Sequence, residues 1–328
     1  MDAPFQFEDE YNRNFRSLRL SLLEECNLAC LYCVSENEFR TGEKDAFRTR
    51  ETMSPEKFAA LVARLRRAAG IYSVRLTGGE PTLYKPLVRL VELLKKDGTP
   101  RVYLTTNGIR LSGMLADLKK AGLDGVNISL DALTEETYRA MGRRGDASRV
   151  LRGIEEAVAL GLNTKLNCTV YGGMNEKEIL PLLEYAGKRN ARIRFLELMN
   201  MGHLYDGGNF FASPLFVSQE RILEAIGARY EYEPLRRKPS AKANYWQTKE
   251  GWVFGIIANH SAPFCRDCNR LRLDSKGRLY GCLTAREGFT LREETTDEEL
   301  HALLQKSMDQ KQKESFTGGP LSMKAVGG

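Results

Sequence analysis

Cysteine placement is where this chain first points to chemistry. Cys26, Cys30 and Cys33 fall within the nine-residue stretch "ECNLACLYC". A closed structural zinc site takes four ligands and a disulfide takes two, so three thiols complete neither. Iron–sulfur clusters are held by thiolates. A cubane held by three cysteines leaves one iron open to a small molecule, as a catalytic zinc keeps one position open. The spacing therefore points to a 4Fe–4S cluster with one iron free of protein, and a three-thiol zinc site is the alternative. Cys265, Cys268 and Cys282 form a second triplet that is incomplete in the same way. A cluster that only relays electrons needs no open iron, which suggests one site for a cofactor and another for a substrate. Cys168 stands apart and is expected to pack as a small apolar residue on the helix-facing side of its strand. Of the histidines His203, His260 and His301, only His260 lies near a triplet at ligand spacing.

Composition sets the wider bounds. The chain of 328 residues, 42% hydrophobic, suffices for one large domain or two medium ones with a real core. Seven cysteines behind a polar N-terminal segment argue against a disulfide framework and a secretory leader. No apolar run approaches the roughly 20 residues of a spanning helix. A cytoplasmic protein with no membrane partner is expected. The net charge of +6 is modest. The basic runs "RLRRAA", "YRAMGRRG" and "LRRKP" are short enough to read as solvated faces, so no nucleic-acid partner is expected.

These thiols need a scaffold. From Ser17 to about Met199, β-rich runs (17–23, 73–79, 101–108, 125–131, 163–170 and 191–199) alternate with helical patterns. The clearest is 54–70, with Ser54 as N-cap, Pro55 at the first helical position and Gly70 at the end. Pro181 is expected to kink the helix that contains it. Six β–α units in series imply parallel strands. Six are too few for an eight-unit barrel, so the expected fold is α/β, a partial (β/α)6 TIM-like barrel at 1–215 followed by a C-terminal cluster-binding subdomain at 216–328. That second segment reads as irregular antiparallel structure with a hairpin at "DSKG". One phase of the strands is apolar (Leu18, Leu20, Leu22; Val74, Leu76; Val126, Ile128, Leu130; Leu166, Cys168). The other is polar (Arg19, Ser21; Arg75, Thr77; Asn127, Ser129, Asp131; Lys165, Asn167, Thr169). The apolar phase should meet the helices and the polar phase should face the lumen. Buried unpaired charge is costly, so a lumen holding Arg19, Arg75 and Lys165 implies an anionic ligand, or else salt bridges to Glu80 and Asp131. In the sixth strand Arg192, Arg194 and Glu197 do not share one alternation.

The cysteine loop after the first strand, with Tyr32 before Cys33, resembles the signature of the radical S-adenosylmethionine (SAM) superfamily. "TGGEP" at 77–81 is similar to its second-strand motif. That resemblance implies that SAM binds the open iron, that the motif containing Gly78, Gly79 and Glu80 contacts its amino group, and that one electron releases a 5′-deoxyadenosyl radical. Further along, "LTTNG", "AGLDGVNISLDAL", "RIRFLELMNMG", "FCRDCNRLRLDSKGRLYGCL" and the terminal "VGG" resemble the GTP 3′,8-cyclases, the molybdenum cofactor biosynthesis protein A family. The likeness implies two 4Fe–4S clusters, held by the two cysteine triplets, and cyclisation of GTP by abstraction of its ribose 3′ hydrogen. It places Tyr32, Gly79, Ser129 and Met199 at SAM. It places Arg19, Arg75, Thr105, Lys165, Arg194, Arg270, Leu271 and Arg272 at GTP, with Arg19 and the Gly327–Gly328 tail needed for the chemistry. It also implies an electron donor such as flavodoxin or ferredoxin and a downstream cyclic pyranopterin monophosphate synthase, and leaves a homodimer open.

Three departures stand out: Ser73 where a lysine is common, "LRRKPSAKANYW" without the usual Gly-Pro, and Asn200 where proline is frequent. Two other readings remain. One is a radical SAM enzyme with an auxiliary cluster that acts on a different nucleotide or on a peptide, although peptide-modifying extensions typically carry more cysteines. The other is a zinc-stabilised binding module, which leaves "TGGEP" and the polar strand phase unexplained.

Overall fold

The computed structural model describes residues 8–41, 52–206 and 210–327. Its first half alternates strands and helices. The strands are β1 (Ser17–Ser21), β2 (Ser73–Thr77), β3 (Arg101–Thr106), β4 (Gly125–Ser129), β5 (Asn163–Val170) and β6 (Arg192–Glu197). Between β1 and β2 lie α1 (Glu36–Thr41) and α2 (Pro55–Ala69). Then α3 (Leu87–Lys96) precedes β3, α4 (Leu115–Lys120) precedes β4, α5 (Glu135–Gly142) and α6 (Ala147–Ala159) precede β5, and α7 (Ile179–Gly187) precedes β6. Neighbouring strands from β1 to β6 pair in parallel, the expected six-unit barrel.

Local chemistry sets the helix limits. Ser54 Oγ accepts from the Lys57 N–H (3.2 Å), Pro55 occupies the first position, and Gly70 at φ +66 closes the last turn onto the Arg66 carbonyl. Pro181 does not kink its helix. Because α7 starts at Ile179, Pro181 sits in the first turn, where a missing N–H costs no intrahelical bond.

The strand phase is as expected. Leu18, Leu20, Val74, Leu76, Ile128, Leu166 and Cys168 are fully buried under the helices. In β6 the alternation is in fact unbroken. Ile193, Phe195 and Glu197 take the outer phase, while Arg194 and Leu196 line the cavity inside. Glu197 disguised the pattern. Its carboxylate is buried and accepts from the N–H groups of Gln219 (2.8 Å), His260 (2.9 Å) and Ser261 (3.2 Å), and from the Ser261 hydroxyl. It clamps the second half of the chain to the end of β6.

That second half carries α8 (Gln219–Gly227), β7 (Tyr232–Leu235), β8 (Asn244–Thr248), β9 (Val253–Ile257), β10 (Arg270–Leu273), β11 (Arg278–Tyr280), β12 (Phe289–Thr290), α9 (Asp297–Asp309) and α10 (Met323–Val326). The sequence reads there as irregular antiparallel structure. Instead, β9 adds to β6 and β10 adds to β1, both in parallel, giving one sheet ordered β12-β11-β10-β1-β2-β3-β4-β5-β6-β9-β8-β7. An open barrel leaves two edges of unpaired backbone, and these strands satisfy both. Only the outer pairs are antiparallel, including the β10–β11 hairpin through Asp274–Gly277.

His260 is no cluster ligand. Its ring packs among Phe210, Phe211, Phe216 and Phe316 (centroids 5.8, 4.4, 5.8 and 5.0 Å away), and neither ring nitrogen has a hydrogen-bond partner among the described residues. Burial holds its pKa down to about 4. As pH falls below about 6.5 the unfolded chain takes up this proton before the folded one, so the stability present at neutral pH is lost progressively towards pH 4. His260→Phe should flatten that part of the profile. Urea midpoints measured from pH 7 to 4.5 check it, and parallel slopes for the two proteins would count against it.

Candidate active site

The first triplet sits in the loop after β1. The Cys33 N–H donates to the Cys30 carbonyl (2.8 Å), and Cys26, Cys30 and Cys33 are half-buried. Gly78 and Gly79 hold this loop in place. The Gly79 N–H donates to Leu23 O (2.7 Å) and the Glu80 N–H to Glu25 O (2.8 Å). A Cβ on Gly79 would lie 2.2 Å from the Glu25 carbonyl oxygen, so only glycine permits this approach. Glu80 itself is buried. Its carboxylate accepts from the N–H and hydroxyl of Thr82 (3.0 and 2.6 Å), the Thr106 hydroxyl (2.6 Å) and the Asn107 N–H (2.7 Å).

These residues open onto a cavity of about 210 Å³ that Tyr32, Ser129 and Met199 also line. Tyr32 is fixed by donating to Asp131 (2.8 Å), and Asn107 reaches Cys26 Sγ at 3.8 Å. Burial pushes the Cys30 thiol well up and the Cys33 thiol to about 12. Among the described residues no three Cys, His, Asp or Glu side chains converge on a single metal ion. The thiols nevertheless ring one cavity, and polar groups suited to a zwitterion line its far side. That donor set fits a cluster, in which each thiolate takes its own iron, with SAM beside it.

The same cavity continues into the barrel, past Arg19, Thr105, Asn127, Asn167 and Arg194. Sheet register aligns Arg272, Arg19 and Arg75 side by side on β10, β1 and β2. Like charges directly opposite one another destabilise a sheet. Among the described residues no carboxylate pairs with Arg19, Arg75, Lys165 or Arg194, so the salt-bridge alternative fails; Glu80 and Asp131 are already committed. Arg194 donates twice to Asn167 Oδ1 (3.0 and 2.6 Å), and Arg75 reaches Thr105 Oγ1 (3.4 Å) and lies 4.9 Å from the Tyr103 ring centre. Among the described residues Arg19 Nε has no hydrogen-bond partner. Burial and mutual repulsion lower these cations: Arg19 well below its usual range, Arg75 to about 10 and Lys165 to about 8. An anion would relieve all of them.

The second triplet lies on the other side of Arg272. Cys265, Cys268 and Cys282 line a smaller cavity with Arg270, Arg272 and Lys311. Burial pushes the Cys265 thiol up to about 11. At Cys268 burial acts the same way, but Arg270 (Nε to Sγ 3.2 Å) and Lys311 (Nζ to Sγ 3.8 Å) outweigh it and hold the thiol down at about 5. A thiolate ready for iron results.

The tail joins the two halves of the site. Gly327 O accepts from Arg272 and, at 3.4 Å, from Arg19. Gly328 lies outside the described residues.

Most residues expected at the site are brought together by the fold. Leu271 is one exception, because its side chain is fully buried in the core opposite Leu18 and only its backbone could serve a ligand; Arg75 and Lys165 keep the inner strand phase but line neither cavity. Asn200 replaces proline by capping its own turn, accepting from the Asp206 N–H (3.2 Å). Sequence reading missed Asn107, Lys242, Lys311 and Lys324. Asn107, Lys242 and Lys311 lie in irregular segments and Lys324 in the four-residue α10, where a lone lysine or asparagine carries no periodic signal.

Comparison with known proteins agrees with this arrangement. The family described as the Radical SAM superfamily matches residues 20–186, and Molybdenum Cofactor Synthesis C matches 191–317. A GTP 3′,8-cyclase of Nautilia profundicola is 38% identical over 287 residues, covering 87% of this chain and 86% of that protein. One from Staphylococcus haemolyticus is 34% identical over 308 residues, covering 91% and 89%. Two solved structures share the fold. Streptococcus suis SuiB bound to S-adenosylmethionine has a TM-score of 0.64 at 14% identity, over 89% of this chain and 67% of that one. The protein anSMEcpe with bound AdoMet has a TM-score of 0.63 at 17% identity, over 90% and 82%. Two incomplete cysteine triplets on one radical SAM barrel, with this degree of full-length identity, place the chain in the GTP 3′,8-cyclase family of the radical SAM superfamily.

Proposed function

We propose that this chain converts GTP into (8S)-3′,8-cyclo-7,8-dihydroguanosine 5′-triphosphate, the first step of molybdenum cofactor biosynthesis. The observation that carries this reading is the row of arginines, Arg272, Arg19 and Arg75, side by side on β10, β1 and β2, with Arg272 lining the cavity of the second cysteine triplet and Arg19 that of the first. Cys26, Cys30 and Cys33 would hold the cluster that binds SAM, and Cys265, Cys268 and Cys282 the cluster that meets the substrate. When bound, the first cluster and SAM supply hydrogen-atom abstraction at the ribose 3′ carbon.

The chain's own residues do the positioning. Tyr32, Gly78, Gly79, Ser129 and Met199 frame the SAM end of the cavity. Arg75, Thr105, Lys165 and Arg194 supply cations and a hydroxyl along the inner strands for the triphosphate, since arginine's fork suits phosphate oxygens. Arg270 and Arg272 flank the second triplet, where the base would sit. Arg19, between the two, donates to the tail carbonyl and keeps a free Nε for substrate. The barrel wall and the tail exclude water.

An electron donor such as flavodoxin or ferredoxin is needed to start each turnover, and the product suits a cyclic pyranopterin monophosphate synthase. The described residues contain no helix long and apolar enough to cross a membrane.

GTP should stimulate formation of 5′-deoxyadenosine by the anaerobically reconstituted protein. The nucleotide product should keep the mass of GTP, because the hydrogen atom that leaves with 5′-deoxyadenosine is replaced by one electron and one proton when the cyclised nucleotide is reduced. SAM cleavage driven by a peptide and indifferent to GTP would overturn the reading.

A further inference from the structure

Lys242 reaches the lumen from the loop between β7 and β8 and lines the same cavity as Arg19 and Arg194. It makes no hydrogen bond or ion pair with any described residue. Its ammonium is enclosed among Arg19, Arg270, Arg75 and Arg194, and burial with this repulsion lowers its pKa well below the usual range. A flexible lysine could turn towards solvent to escape four guanidiniums, so its inward position needs a cause.

The loop supplies it. Arg237 forms a two-pronged pair with Asp267 (2.7 and 2.8 Å), and its other contact is the Ala241 carbonyl (2.6 Å). The Ser240 N–H also donates to Asp267 (2.8 Å), with Ser240 in the left-handed region at φ +59, a conformation costly for a residue with a side chain. Asp267 lies between Cys265 and Cys268. Loop 237–241 is thus fastened to the second cysteine loop at some conformational cost, and the next residue is Lys242.

We propose that Lys242 is a substrate-binding residue that contacts the polyphosphate chain of the nucleotide, completing a cation cluster that β2 leaves short at Ser73. This rests on the reading of GTP as substrate. The chemistry recognised is a string of phosphate oxygens. Arg75, Lys165, Arg194 and Lys242, from β2, β5, β6 and this loop, exceed what one phosphate could neutralise, and a triphosphate of about four negative charges matches them. Because the second cysteine loop holds Lys242, formation of the second site and capture of the triphosphate are linked.

The test compares wild type, Lys242→Met and Lys242→Arg, each anaerobically reconstituted, by equilibrium dialysis against GTP, guanosine and inorganic tripolyphosphate. Lys242→Met should weaken GTP and tripolyphosphate by about tenfold or more, as expected for a lost charge-assisted contact. Guanosine should change by less than about twofold on the same scale, and Lys242→Arg should keep most of the affinity. Without ligand at low salt, Lys242→Met should melt higher than wild type, because it removes an unpaired cation from a repelling cluster. A purely structural lysine would lower the melting temperature. Equal losses for GTP and guanosine, or unchanged GTP binding, would overturn the proposal. If GTP binds no better than tripolyphosphate while tripolyphosphate still depends on Lys242, the cation role stands and the choice of GTP falls.

Discussion

Replacing Cys30 with alanine is expected to abolish SAM cleavage, while replacing Cys268 with alanine should abolish cyclisation and spare part of that cleavage. Cys30 sits at the centre of the first loop, its carbonyl anchoring the Cys33 and Val34 N–H groups (2.8 and 3.0 Å). Without its thiolate the remaining pair cannot retain a cubane, which needs at least three protein ligands here. The loss should reach about three orders of magnitude, roughly 4 kcal/mol of barrier, with about four irons bound per chain in place of about eight. Cys268→Ala loses a similar amount of iron but leaves the SAM end of the cavity untouched. Its expected signature is 5′-deoxyadenosine formed slowly with no cyclised nucleotide. Iron content together with chromatography of both products checks the pair. If Cys268→Ala still made cyclised GTP at the normal rate, the second triplet would not be the substrate's site.

Gly327→Val should reduce cyclisation by about a hundredfold or more, equivalent to about 2.7 kcal/mol, and barely change the melting temperature. Gly327 has φ +71, a conformation that valine adopts only under strain. A Cβ there would stand 3.0 Å from both Ser21 Cβ and Thr77 Oγ1 on the barrel wall. The tail would withdraw, taking its carbonyl from Arg19 and Arg272 and leaving adjacent guanidiniums of β1 and β10 without that acceptor. Little of the apolar core depends on the last residues, which is why stability should hold while activity falls. Gly327→Ala should fall between the two, because alanine tolerates the left-handed region better. Product analysis with GTP in excess separates this from weak substrate binding. Undiminished cyclisation in Gly327→Val would mean that the tail is a bystander.

How much of this was legible in the sequence differed from element to element. The helix at 55–69 was readable because its caps are local: Ser54, Pro55 and Gly70 act on neighbours in the chain. The lumen cations were readable because strand side chains alternate strictly, which put Arg19, Arg75 and Lys165 on one face before any packing was known. β6 misled only because Glu197, on the outer face, is a buried carboxylate satisfied by backbone N–H groups more than 20 residues away. Pro181 misled because the start of α7 is set by packing and not by a strong cap, its N-cap Glu178 making no side-chain capping bond.

By itself, then, the sequence determined the candidate groups: two thiol triplets, the Gly78–Gly79 pair and a polar strand phase. All three follow from spacing along the chain and from the geometry of single elements. Tertiary structure alone decided that the second half of the chain completes both edges of the barrel. It thereby set Arg272 beside Arg19, brought Gly327 O to both, and carried Lys242 inward on a loop tied to Asp267. Such contacts join residues up to about 300 positions apart. They depend on which unpaired strand edge each segment can satisfy, and no local period in the sequence encodes that choice.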